Sequence, residues 1–138
     1  MSWKERMNEF GGGNFTFLSV DGDTIVFIVV GEPVLIKTVY KQREQERIGC
    51  PVVTDEGYRL YICGKRVARR LSKHEDQFAE SAMMVVRHGE EGDINCRYDV
   101  KVVPEPETFS RLVAIRDTSF TPEMIQESID EARQVLAE

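Results

Sequence analysis

The chain has 138 residues and a formal net charge of −6, with 41% hydrophobic and 30% charged residues. This length and balance are typical of a single globular domain with a substantial hydrophobic core. No apolar run reaches the roughly 18 residues that a membrane span requires, so the sequence argues against a membrane-spanning segment. The negative net charge argues against a non-specific polyanion binder, because such proteins are usually strongly basic.

The N-terminal stretch "MSWKERMNEFGGGN" lacks the apolar centre of a secretory signal, and we expect residues 1–14 to form a flexible lead-in. The three cysteines Cys50, Cys63 and Cys96 are odd in number and widely spaced. A reduced protein explains that pattern better than a disulfide framework. The sequence therefore predicts a cytoplasmic protein.

Three β-branched and aromatic runs, "FTFLSV", "TIVFIVV" and "VLIKTVY", are separated by Asp21-Gly22 and by a Gly-Glu-Pro turn. They predict a β-meander. The charged connector "KQREQERIG" that follows is open to two interpretations, a helical turn or a mobile loop. The next strand, "YRLYIC", places Tyr58 with Leu60 and Ile62 on one face, and Arg59 with Tyr61 on the other.

The stretch "GKRVARRLSKHEDQF" has an apolar stripe, Val67, Leu71, His74 and Phe78, at helical spacing. It predicts an amphipathic helix from about residue 65 to 80 with a basic outer side. A hairpin of "SAMMVVRHG" and "CRYDVKVV" follows through the loop "EEGDIN", and "TFSRLVAI" is ambiguous. A terminal helix over 121–137 is predicted from its Thr-Pro-Glu start.

Strands, a central helix, two further strands and a terminal helix predict a mainly β fold with helices. We expect a five-stranded OB-fold-like Greek-key barrel over residues 15–107, with the helix between strands 3 and 4, and a C-terminal extension over 108–138. OB-folds bind oligonucleotides on their second and third strands. Here those strands are "VLIKTVY" and "YRLYIC".

Charge is unevenly distributed along the chain. Residues 37–73 hold ten Lys or Arg against four acids, a balance of +6, whereas residues 99–138 hold nine acids against four bases, a balance of −5. A local basic surface attracts phosphate despite a negative total, and aromatic rings beside it can stack bases. The simpler alternative is that these charges only solvate a helix and strand surface. The predicted nucleic-acid-binding residues are Lys37, Tyr40, Lys41, Arg43, Arg47, Arg59, Tyr61, Lys65, Arg66, Arg69, Arg70 and Lys73.

Among the tyrosines, Tyr40 and Tyr61 are the predicted stacking platforms. The alternation of their strands predicts that Tyr58 and Tyr98 face the core.

The segments "FLSVDGDTIVFIVVGEPV" and "MMVVRHGEEGDINCRYDVKVVPE" resemble the single-stranded DNA-binding proteins of tailed bacteriophages. The resemblance lies in the Asp-Gly-Asp and Gly-Glu-Pro turns around an apolar strand, and in the later acidic hairpin loop, and it covers about residues 15–107. It implies an OB-fold, single-stranded DNA as the ligand, and a role in replication or recombination. The chain departs from the family in ending with a predicted acidic amphipathic helix instead of a disordered acidic tail.

No catalytic motif is present, so an enzyme is not expected, nor is a cofactor. Cys50, Cys63, Cys96, His74 and His88 lack the close pairing of a structural zinc site, and no metal is predicted, although Cys50 and Cys63 would meet if their strands pair. The alternative function is a phage protein–protein interaction module that binds a host enzyme or a virion or replication partner. The acidic C-terminal helix could pack on the barrel, compete with DNA, recruit replication or recombination proteins, or form a homodimer.

Overall fold

The computed structural model describes residues 14–40, 42–90 and 92–136. They form a mixed structure of seven strands in one open sheet and three α-helices. A short 3-10 turn, Glu75–Gln77, follows the first helix. The strands are β1 (Phe15–Thr16), β2 (Thr24–Val29), β3 (Val34–Tyr40), β4 (Arg43–Thr54), β5 (Gly57–Cys63), β6 (Ala82–His88) and β7 (Arg97–Val103), and the helices are α1 (Lys65–Ser72), α2 (Pro106–Ser119) and α3 (Glu123–Leu136).

The long strand β4 organises the sheet, whose order is β1-β5-β4-β2-β6-β7, with β3 paired to β4 outside that path. One part of β4 pairs with β3, and its later part pairs with β5 and with the end of β2. All pairs are antiparallel except β1 with β5. The predicted meander is wrong, because β1 pairs with β5, and β2 pairs with β4 and β6 instead of β3.

The charged connector is also corrected, since from Arg43 onward it is strand and not a helical turn or loop. Its charges fit the ladder: Glu46 lies directly opposite Lys37, and Lys37 Nζ is 3.4 Å from a carboxylate oxygen of Glu44. Cross-strand opposite charges stabilise antiparallel pairs. Strand propensity depends on such neighbours more than on the residue itself.

Both faces of the sheet are buried at its centre. One face carries the inner core, in which Phe27, Tyr61 and Met83 are almost fully buried, and α1 adds Val67 and Leu71 to it. Residues of β5 and of the edge strand β7 share this cluster, so the sheet curls around it.

The other face is covered by the two C-terminal helices. Ile129 and Ala132 of α3 pack with Ile36 and Leu60, and Leu112 of α2 packs in a neighbouring cluster with strands β2, β4 and β6. The predicted terminal helix is confirmed over Glu123–Leu136, and the ambiguous stretch before it belongs to α2. The C-terminal segment is therefore part of the core.

The predicted amphipathic helix is confirmed over Lys65–Ser72, where Val67 and Leu71 are buried and the basic residues are exposed. The rest of the predicted span, to residue 80, is corrected, because it consists of turns and the short 3-10 helix Glu75–Gln77. The broad prediction of a β structure with helices is also confirmed, because the described residues form seven strands and three α-helices. The sheet has seven strands and is open, so the narrower prediction of a five-stranded barrel stays a prediction. None of the helices in the described residues is long and apolar enough to cross a membrane.

Candidate nucleic-acid interface

The predicted binding residues that the structure describes fall on the β3–β4 hairpin, on strand β5 and on helix α1, with Lys73 at the C-cap of that helix. Lys41 and the side chain of Tyr40 lie outside the described part of the structure.

The hairpin divides its cations between two faces. Lys37 shares one face with the exposed Leu35 and Val39 and is paired to Glu44. Arg47 lies opposite Ile36 on the other face, where its Nη2 donates a hydrogen bond of 2.9 Å to the Gln45 side-chain oxygen. Arg43 is exposed on the same face as Arg47, because alternate residues of a strand share a face.

Strand β5 corrects the prediction for Tyr61. Its ring is only 1% exposed and lies 5.9 Å from the ring of Phe27, so it cannot stack on a base. Burial raises the pKa of the Tyr61 phenol far above its usual value. Alternation correctly placed Tyr61 and Tyr58 on opposite faces, but both faces are covered, and Tyr58 is buried as predicted.

Arg59 is held apart from the other predicted residues. Its side chain is 20% exposed, its Nη1 donates to the Tyr58 carbonyl oxygen at 2.7 Å, and its Nη2 lies 3.7 Å from Glu56. It lines a small cleft of about 300 Å³ beside Asp55 and Glu56. The neighbouring acids make this a poor place for a phosphate.

Helix α1 carries both paired and open cations. Lys65 Nζ lies 2.7 Å from a carboxylate oxygen of Glu46 and holds the pKa of that carboxyl below its usual range. Arg70 Nη1 donates to the carbonyl oxygen of Tyr98 at 2.6 Å. The exposed cations Arg66, Arg69 and Lys73 take part in none of the ion pairs formed between described residues.

A cleft of about 530 Å³ opens where the ends of β5 and β7 approach the β3–β4 hairpin and the end of α3. Its apolar wall includes Leu136 and the ring of Phe17, which is 46% exposed. Its polar wall includes Gln45, Arg47, Arg87 and Tyr98.

Arg87 builds one side of this cleft. It is 9% exposed, and its guanidinium donates to the carbonyl oxygens of Leu18, Gly89 and Glu90 at 2.8 to 3.2 Å. It also donates to the Tyr98 hydroxyl at 2.6 Å and stacks 5.6 Å from the centre of that ring. Arg87 thus fixes the orientation of Tyr98 and places a positive charge in the wall.

Sequence reasoning missed Phe17, Arg87 and Tyr98 as site residues. Arg87 follows Met83 and Val85 on the core-facing side of β6. A charged residue at a position where alternation predicts an apolar one is unusual, and it indicates a functional or structural role for that side chain. Phe17 had no such signal, because its exposure depends on strands that lie far away in the sequence.

The cysteines form no metal cluster in the part of the chain that the structure describes, where no three His, Cys, Asp or Glu side chains come close enough to hold an ion. Cys50 and Cys63 do meet, with their sulfurs 4.0 Å apart. Comparison with protein-family models, curated proteins and solved structures found no match to this chain.

Proposed function

We propose that this protein binds single-stranded DNA with little sequence preference, in support of the replication or recombination of a phage in its host's cytoplasm. The observation that carries the proposal is the cleft, which is lined by the half-exposed ring of Phe17, by the exposed cation Arg47, and by Tyr98, whose ring stacks with the guanidinium of Arg87. Single-strand binding needs rings for the bases and cations for the backbone. The replication or recombination role rests on the resemblance of the sequence to phage proteins.

The cations of α1 extend this surface beyond the cleft. The guanidinium of Arg47 lies beside Gly64, the residue that precedes α1, with its Nη1 3.5 Å from the position that a Cβ would take there. Arg66 and Arg69 of α1 and Lys73 at its C-terminal end are also exposed. These three side chains are available for phosphate contacts, which position a strand without reading its sequence.

The site differs from the sequence prediction in its location. The outer surface of β4 and β5 is covered by α2 and α3, which bury Leu60 and Val53. We therefore assign the single-stranded DNA to the cleft beside β4 and β5 and to α1.

The OB-fold interpretation belongs to the same proposal. If β2 and β3, separated only by residues 30–33, are counted as one bent strand, then β4, β5, β6 and β7 complete a set of five. Helix α1 then lies between the third and fourth strands, as in an OB-fold. The antiparallel pairing of β2 with both β4 and β6 supports this interpretation. No pairing joins β5 to β7 in the described residues, and the cleft lies there.

The test is fluorescence anisotropy with a labelled oligo-dT, its duplex and an uncharged polymer across a salt series. We expect oligo-dT to bind more tightly than the duplex, with log K falling linearly against log salt. Mixed-sequence single strands should bind within a few-fold of oligo-dT. Absence of binding to oligo-dT at low salt, or equal affinity for the uncharged polymer, would contradict the proposal.

One observation favours the alternative, a protein-binding module. In the described residues β3 pairs with no strand other than β4, although its Leu35 carbonyl oxygen accepts a hydrogen bond of 3.3 Å from Arg133 of α3, and the side chains of Leu35 and Val39 are 43% and 40% exposed. An exposed edge strand is a template for another chain. Recovery of one stoichiometric host protein after nuclease treatment, lost in a Leu35→Lys variant that still binds oligo-dT, would support this second function.

A further inference from the structure

Cys50 and Cys63 are diagonal neighbours across the β4–β5 ladder. Cys50 lies directly opposite Tyr61, and Cys63 lies directly opposite Ile48. Their Sγ atoms are 4.0 Å apart, and each residue is 7% exposed. Diagonal neighbours are usually the more distant ones in an antiparallel pair. The contact between these two sulfurs therefore places two reactive groups together in an otherwise apolar core.

We propose that Cys50 and Cys63 form a reversible disulfide when the protein meets a peroxide, so that this pair is a redox modification site. The inference does not depend on DNA binding. The third cysteine, Cys96, lies on the β6–β7 connection and takes no part in the pair.

The surroundings of the two thiols suit this chemistry. The two sulfurs share a hydrogen bond in which either one is the donor, and this bond lowers the pKa of the Cys50 thiol. The thiolate is the reactive form of cysteine. Whichever sulfur is oxidised first, the other lies 4.0 Å away as the resolving thiol.

The reaction balances in two steps. One of the two sulfurs, as its thiolate, attacks one peroxide oxygen, the O–O bond breaks, and that cysteine becomes a sulfenic acid while hydroxide leaves and is protonated to water. The sulfur of the other cysteine then attacks the sulfenic sulfur, the S–O bond breaks, and the second oxygen leaves as water with the proton of the attacking thiol. Two thiols and one peroxide give one disulfide and two waters, and a dithiol reductant reverses the change.

Access and distance are both compatible with this step. Cys63 lines the cleft next to Gly64, so a molecule as small as hydrogen peroxide can reach the pair from there. The sulfurs need to approach from 4.0 Å to about 2 Å, so the two side chains must turn toward each other and the β4–β5 ladder must adjust. Because Cys63 precedes Gly64 and α1, oxidation acts on the cleft wall as well as on the core.

The test is peptide mapping of the full chain under native conditions, before and after hydrogen peroxide. Trypsin separates the cysteines into the peptides Ile48–Arg59 and Leu60–Lys65. We expect these peptides to be joined after oxidation, with a combined mass lower by about two units than the sum of the two thiol peptides, and to separate again with dithiothreitol. One free thiol, Cys96, should remain.

Matched variants locate the reaction. A Cys96→Ser protein should give the same linked peptides, whereas Cys50→Ser and Cys63→Ser should each abolish the link between them. The mapping on the unaltered chain decides the matter even where a variant folds poorly. Separate peptides after oxidation, a disulfide that includes Cys96, or a link only between two chains would overturn the inference.

Discussion

The hydroxyls of Tyr58 in β5 and Ser128 in α3 lie 2.7 Å apart inside the core. Ser128 already donates its one hydrogen to the Ile125 carbonyl oxygen at 2.8 Å, so the phenol of Tyr58 is the donor in the bond between them. This bond joins the C-terminal helix to the centre of the sheet. It is the clearest sign that α3 is built into the fold.

We expect Ser128→Ala to cost about 1–3 kcal/mol of unfolding free energy, because it leaves a buried phenol without an acceptor. Tyr58→Phe should cost less, about 0.5–1.5 kcal/mol, since Ser128 keeps its bond to Ile125. In urea unfolding, the double variant should cost less than the sum of the single ones. Strict additivity would show that the two hydroxyls do not interact.

Tyr61→Phe should leave stability unchanged or raise it. The Tyr61 hydroxyl is buried and has no hydrogen-bond partner among the described protein atoms, so removing it ends a desolvation cost of about 1–3 kcal/mol. Affinity for oligo-dT should not change, because the ring lies inside the core. A large loss of affinity with unchanged stability would restore Tyr61 as a binding residue.

Stability should fall as the pH rises above about 10, the tyrosine value of an unfolded chain. Burial raises the pKa of Tyr58, Tyr61 and Tyr98 in the folded protein. Between the two pKa values the unfolded chain loses protons that the native state keeps, so the unfolding free energy decreases with pH. Urea midpoints from about pH 9 to pH 11 measure this slope, which should be shallower for Tyr61→Phe. An unchanged slope in that variant would contradict the assignment.

Phe17→Ala should weaken oligo-dT binding by about 1–3 kcal/mol, or roughly 5- to 150-fold, if the ring stacks on one base. Its stability cost should be small, because the side chain is half exposed. Ile94→Ala is the matched control, since Ile94 is 96% exposed and is not part of the cleft. Equal effects of the two substitutions in the anisotropy titration would rule out a stacking role for Phe17.

Arg47→Gln should weaken binding at low salt and reduce the slope of log K against log salt by about 0.7, the value of one phosphate contact on a single strand. Arg116→Gln removes the same charge from α2, beside Asp117 and away from the cleft, and should leave the slope unchanged. Identical slopes for the native protein and Arg47→Gln would show that the bound single-stranded DNA does not contact Arg47.

Local patterns in the sequence predicted the elements whose periodicity is strong. The apolar stripe through Val67 and Leu71 predicted α1, and Ile129 with Ala132 marked the buried side of α3. These predictions succeed because helix and strand periods fix which side chains share a face. These local patterns did not predict the charged strand that begins at Arg43, because its stability comes from pairing with β3 and not from the propensity of its own residues.

Sequence by itself determined that Tyr58 and Tyr61 face opposite sides of one strand, that positive charge is concentrated between residues 37 and 73, and that a helix begins after Thr121-Pro122. Only the tertiary structure decided that α2 and α3 cover the outer side of that strand, that Tyr61 is enclosed, and that Phe17, Tyr98 and Arg47 line one cleft. The physical reason is that alternation is a local property of a strand. Burial depends on which distant segments pack against each face.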